Sequence, residues 1–72
     1  MVTVRFKLSD RGTIELPVTI PLTFQQVLEM CEEAIGNSIG PVLAVRNEKV
    51  LNLLDKVEED DVIDVYPALS GG

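Results

Sequence analysis

Few residues in this 72-residue chain can do chemistry. Histidine is absent, so neither a Cys–His nucleophile nor a Cys/His metal site can be assembled, and one cysteine excludes an internal disulfide. That cysteine, Cys31, falls in helical register with Phe24, Val27, Leu28 and Ile35. A thiol on an apolar stripe predicts a core residue rather than a redox or persulfide-carrying one. Glu58-Glu59-Asp60-Asp61 reads as a solvated turn, because a hard-cation site needs more arranged oxygens, and no metal site is expected. Glu29, Glu32 and Glu33 fall mostly off the apolar stripe, and no pair of carboxylates is spaced for general acid–base work. What remains is the free carboxylate of Gly72. It follows Gly71 at the end of Pro67-Ala68-Leu69-Ser70-Gly71-Gly72, on an arm whose last two residues lack Cβ atoms and have unrestricted φ/ψ.

The elements that position this arm follow from periodicity. Val2, Val4, Phe6 and Leu8 alternate with Thr3, Arg5 and Lys7, which predicts a half-buried strand. Ser9 to Gly12 is a turn, with Gly12 available for positive φ. Thr13 to Ile20 predicts a second strand with Ile14, Leu16, Val18 and Ile20 inward. Pro17 cannot donate to a ladder and places this strand at a sheet edge or a bulge. Thr23 and Gln26 form a capping box, with Leu22 and Val27 as a hydrophobic staple, so a helix of about three turns begins near Thr23. Gly36 or Asn37 stops it. Val42 to Arg46 is a short strand, Asn47 to Lys49 a turn, and Val50-Leu51 a brief strand. Leu53, Leu54 and Val57 are expected to pin an irregular connection to the core. Val62 to Tyr66 is the last strand, with Ile63 and Val65 inward.

A hairpin, one crossover helix and further strands must lay the helix over one sheet face. The expected class is α+β, a β-grasp fold with a mixed sheet of about four or five strands and one principal helix. Residues 1–66 form the domain and 67–72 a flexible tail.

Size and charge narrow the function. A chain this short buries only about 60% of its unfolded surface, and its core supplies about 3–5 kcal/mol, which argues against a self-contained enzyme. Apolar residues make up 46% of the chain and charged residues 25%, so it is a folded domain rather than a disordered one. The formal charge of −6 repels phosphate backbones and anionic lipid heads, so neither nucleic acid nor membrane is an expected partner. No segment reads as a signal peptide or a membrane span, and the expected compartment is the cytoplasm.

The end of the chain, Asp60-Asp61-Val62-Ile63-Asp64-Val65-Tyr66-Pro67-Ala68-Leu69-Ser70-Gly71-Gly72, resembles the end of MoaD/ThiS sulfur carriers, which are ubiquitin-like. These typically show an acidic turn, a hydrophobic strand, one or two prolines, a small residue and a terminal Gly-Gly. Leu43-Ala44-Val45-Arg46-Asn47-Glu48 is similar to the strand-and-turn near an Asn-Gly or Asn-Gln in that family. Asp60-Asp61 stands where Gly-Asp is common and Ala68 where a second proline is common. The proline and the lack of a third glycine lean toward MoaD-like tails. The resemblance implies that a ubiquitin-activating-type enzyme adenylates the Gly72 carboxylate using ATP and Mg²⁺. A sulfur donor then converts it to a thiocarboxylate, and a downstream synthase uses that sulfur in molybdopterin or thiamine biosynthesis. The chain itself would bind no cofactor, act as a co-substrate and be a monomer when free. Two other functions use the same residues: a modifier joined to lysines through the tail, and a β-grasp interaction module without tail chemistry.

One surface also draws notice. If Val4, Phe6, Ile63 and Val65 face the helix, the opposite sheet face carries Arg5, Lys7, Ala44, Arg46, Asp64 and Tyr66, with Val42 and Val62 alongside. It would be an apolar patch ringed by three of the six basic residues, a candidate partner-binding face.

Overall fold

The computed structural model describes residues 1–19 and 21–68. In chain order the elements are β1 (Val2–Phe6), β2 (Gly12–Leu16), β3 (Leu22–Thr23), α1 (Phe24–Ile35), β4 (Val42–Arg46), β5 (Lys49–Leu51), β6 (Lys56–Val57) and β7 (Val62–Pro67). Five strands form one mixed sheet in the order β2-β1-β7-β4-β5, in which β1 and β7 are parallel and the other pairs antiparallel. One helix packs its apolar stripe on this sheet, so the fold is α+β and β-grasp. A small second sheet pairs β3 with β6.

The helix forms where local chemistry dictates. Thr23 Oγ1 accepts from the Gln26 N–H at 3.3 Å, and the Gln26 side chain accepts from the Thr23 N–H at 2.9 Å. The N–H groups of Phe24 and Gln25, which have no partner inside the helix, donate to the carbonyls of Asp55 and Leu53. Gly36 ends the helix at φ 78°, a conformation that costs a side-chain-bearing residue far more than glycine. Phe24, Val27 and Cys31 are buried against Val2, Val4 and Phe6 of β1, Ala44 of β4 and Ile63 and Val65 of β7. No polar or charged residue is buried among the described residues.

Several expectations change. The second strand ends at Leu16 rather than Ile20, because Pro17 has no N–H to continue the ladder. Val18 is still buried, its N–H closing a tight turn onto the Leu16 carbonyl. β2 lies at the sheet edge, as Pro17 implied, while Ile20 falls outside the described residues. Leu8 does not continue the inward alternation. β1 stops at Phe6, and Leu8 sits in the turn, 86% exposed. Leu53 and Leu54 are exposed as well. Backbone carbonyls, not these side chains, hold their loop to the helix. Val57 alone of the three is core.

Arg46 pairs with Lys49 across a turn in which Asn47 and Glu48 take φ of 52° and 67°. Positive φ at both central residues is the type I′ hairpin, which favours Asn followed by Gly. Glu48 occupies the glycine place with strain. Glu48→Gly should therefore raise stability by about 0.5–1 kcal/mol, the left-handed strain of roughly 1–2 kcal/mol less the entropy cost of glycine. The urea midpoint measures this, and a lower midpoint would show that the Glu48 side chain makes a stabilising contact outweighing the strain.

Candidate functional site

β7 carries the tail, and it is the best-supported strand for doing so. It lies in the middle of the sheet with β1 on one side and β4 on the other. Its Val65 carbonyl accepts from the Lys7 N–H at 2.8 Å, Pro67 stands opposite Val42, and the Ala68 N–H donates to the Pro41 carbonyl at 3.2 Å. Backbone pairing thus reaches Pro67, one residue beyond the boundary expected at Tyr66, and a hydrogen bond tethers Ala68 after it. Pro67 and Ala68 are exposed. Leu69, Ser70, Gly71 and Gly72 lie outside the described residues. The root of the arm is therefore fixed by the sheet, and from Ala68 an extended chain to Gly72 spans at most about 13–14 Å.

β7 also organises the sheet face turned away from the helix. Residues directly opposite across a pair share a face. Arg5 stands opposite Asp64, Leu43 opposite Tyr66, and Val45 opposite both Asp64 and Val50. Arg5 grips Asp64 with two hydrogen bonds, Nε to Oδ1 at 2.6 Å and Nη2 to Oδ2 at 3.1 Å. These bonds, reinforced by the carboxylate charge, hold the guanidinium pKa above its ordinary value. Around this pair lie Leu43, Val50 and Val62, which are 48%, 59% and 45% exposed, together with the partly exposed Val45 and Tyr66.

The face exists, but its membership differs from the sequence expectation. Ala44 is 1% exposed and stands opposite Val65 and Leu51, in the core. Val42 and Arg46 share its side of β4, so the expected β4 register was off by one residue. Arg46 does not present a free charge to a partner. Its Nη1 donates to the Lys56 carbonyl at 2.6 Å and to Asp61 Oδ2 at 2.8 Å, and the same oxygen accepts from the Glu58 N–H. Arg46 thus ties β4 to the turn before β7. Of the residues expected on the face, Arg5, Asp64, Tyr66 and Val62 are there. Lys7 lies just past the end of β1, close to the root of the tail. Leu43, Val45 and Val50 were missed. The hairpin offered the signal: a two-residue turn at Asn47-Glu48 sets Leu51 opposite Ala44, so burying Leu51 buries Ala44.

Cys31 is fully buried. Loss of hydration, with a smaller contribution from Glu32, pushes its thiol from 9.0 up to about 11. At neutral pH the thiolate is scarcer by about two orders of magnitude than for an ordinary thiol, so alkylation should be slow until the protein unfolds. A raised folded pKa means that the thiol's stabilising contribution is complete below pH 9 and is lost as pH climbs toward about 11. Urea midpoints should fall across that window in the parent and less steeply in Cys31→Ala. Equal slopes would show that Cys31 is not desolvated.

Among the described residues no cluster of three carboxylate or thiol side chains is arranged to hold a metal, and no helix is long and apolar enough to cross a membrane. No family model matches the chain. The chain is 38% identical over 69 residues to the sulfur carrier protein TtuB of Thermus thermophilus, a match covering 96% of this chain and 97% of that protein. Such identity along nearly the whole of both chains, on a β-grasp sheet whose central strand leads into the tail, shows that the chain belongs to the MoaD/ThiS family of ubiquitin-like sulfur-carrier proteins.

Proposed function

We propose that the carboxylate of Gly72 is the cargo site, loaded by a ubiquitin-activating-type enzyme and emptied by a synthase that builds a sulfur-containing cofactor. The observation that carries this reading is the match to a sulfur carrier over nearly the whole chain. The tail gives it a chemical site, since Gly71 and Gly72 follow a tethered strand end.

The chemistry divides between partner and carrier. A carboxylate oxygen attacks the α-phosphorus of ATP on the partner enzyme, and pyrophosphate leaves. The resulting acyl adenylate is an electrophile. The terminal sulfur of a donor persulfide attacks its carbonyl carbon, AMP departs, and an acyl disulfide forms. A second thiol reduces that disulfide bond and frees the thiocarboxylate. The carrier supplies the carboxyl group and a Cβ-free arm that fits a narrow channel. Any acid, base or metal that these steps need comes from the partner.

The outer sheet face is the proposed docking surface for the activating enzyme, with Tyr66 and Leu43 at its centre in place of Ala44 and Arg46. Tyr66→Ala should weaken binding to that enzyme by about 2 kcal/mol or more, as loss of an aromatic anchor does. Titration calorimetry measures this, and unchanged affinity for both Tyr66→Ala and Leu43→Ala would remove the face from the account.

ATP–pyrophosphate exchange tests the adenylation step. The adenylating enzyme of the source organism should exchange labelled pyrophosphate into ATP only when this protein is present. Isopeptide conjugates appearing in lysate without any thiocarboxylate would redirect the reading to a protein modifier.

A further inference from the structure

The turn after β1 carries a leucine that folding does not explain. Leu8 has φ 55° and is 86% exposed. The left-handed conformation is uncommon for residues other than Gly, Asn and Asp, and a large apolar side chain left in water gains nothing from burial. Beside it lies a groove of about 340 Å³ floored by Phe6, Val42 and Val65, with Pro67 at its lip. Lys7 and Arg11 line the rim with Asp10. Arg11 stacks over the Phe6 ring at 5.9 Å and donates to the Ser38 carbonyl at 3.3 Å. Among the described residues neither Lys7 nor Arg11 forms an ion pair.

The position of this feature is what gives it meaning. The Ala68 N–H binds the Pro41 carbonyl, and Pro41 also lines the groove, so the tail departs from its mouth. An enzyme that holds Gly72 in its active site must bring its own surface within about 13–14 Å of Ala68, and so it meets this end of the domain. Cations outnumber carboxylates here, on a protein whose formal charge is −6 and whose β7 begins after Glu58-Glu59-Asp60-Asp61. A partner surface bearing carboxylates is attracted at the tail root and repelled by the net negative charge of the rest of the protein, which favours a tail-first encounter.

We infer that Leu8, the groove and the Lys7–Arg11 rim form a collar that docks the enzyme acting on Gly72, receiving from its channel mouth an apolar side chain flanked by carboxylates. The residues lining this groove do not include Tyr66 or Leu43 of the outer face, and the collar rests on the sulfur-carrier reading of the tail.

Steady-state thiocarboxylate formation with the source organism's adenylating enzyme tests this across a salt series. Lys7→Glu with Arg11→Glu should lower kcat/KM about tenfold at low salt with kcat unchanged, and the deficit should shrink as salt rises. Lys49→Glu with Lys56→Glu makes the same charge change at exposed sites outside the collar and should alter kcat/KM by less than about twofold. Leu8→Asn, which suits the left-handed conformation, should keep the parent Tm while reducing kcat/KM about tenfold, the loss of one apolar anchor. A parent that loads beside collar variants with parental kcat/KM and salt dependence overturns the collar and leaves the carrier function standing. An equal fall in the Lys49/Lys56 control overturns it too, since the effect would then be net charge alone. A parent that never loads removes the carrier reading and the collar together.

Discussion

Deleting Gly72 should abolish thiocarboxylate formation while leaving the melting temperature at the parental value. Shortening the arm by one residue withdraws its carboxylate by about 3.3–3.6 Å, and in-line attack on the α-phosphorus of ATP tolerates no such displacement. Appending one residue has the same outcome for a different reason: the Gly72 carbonyl becomes a peptide carbonyl and has no oxygen to adenylate. Neither change touches the core, whose last buried member among the described residues is Val65. Intact mass after incubation reads the first effect and a thermal scan the second. A deletion variant that loads like the parent would move the chemistry away from Gly72.

Phe24→Ala should unfold most of the population. Phe24 is 1% exposed and is the first residue of the helix, packed on the inner face of the sheet. Truncating a buried phenylalanine costs about 3–5 kcal/mol through lost transfer energy and the cavity left behind. A domain this small commands roughly 3–5 kcal/mol in total from its core, so the loss matches the whole stability. The variant should show a urea midpoint near zero, or no cooperative transition, and a correspondingly low rate of loading. A midpoint shift worth less than about 1 kcal/mol would mean that the helix does not pack as described.

These two residues mark what local chemistry makes legible and what it does not. Thr23, Gln26 and the stripe from Phe24 to Ile35 announce the helix, because capping and 3.6-residue periodicity depend only on neighbours in sequence. Pro17 announces an edge strand for the same reason. The register of β4 was harder. Leu43, Ala44 and Val45 are all apolar, so alternation reads equally well on either face. Its partner Leu51, set opposite by the Asn47-Glu48 turn, decides the matter. That turn lacks the usual glycine, so the hairpin signal was muted. Leu8 misled because apolar alternation runs on past the end of the strand, where only the turn's left-handed φ reveals that its side chain points away. The pairing of β3 with β6, two residues each, is too short to leave any periodic trace. A terminal Gly-Gly needs no partner residue to define its chemistry, whereas a sheet face is defined only by register.

The most direct measurement is the intact mass of the parent protein after incubation with its adenylating enzyme, ATP, Mg²⁺ and a persulfide donor with reducing thiol. The carrier account predicts a gain equal to the difference between sulfur and oxygen, localised by fragmentation to Gly72, dependent on ATP and absent without the enzyme. A parent mass unchanged under those conditions, with the enzyme shown to be active on another carrier, would contradict it.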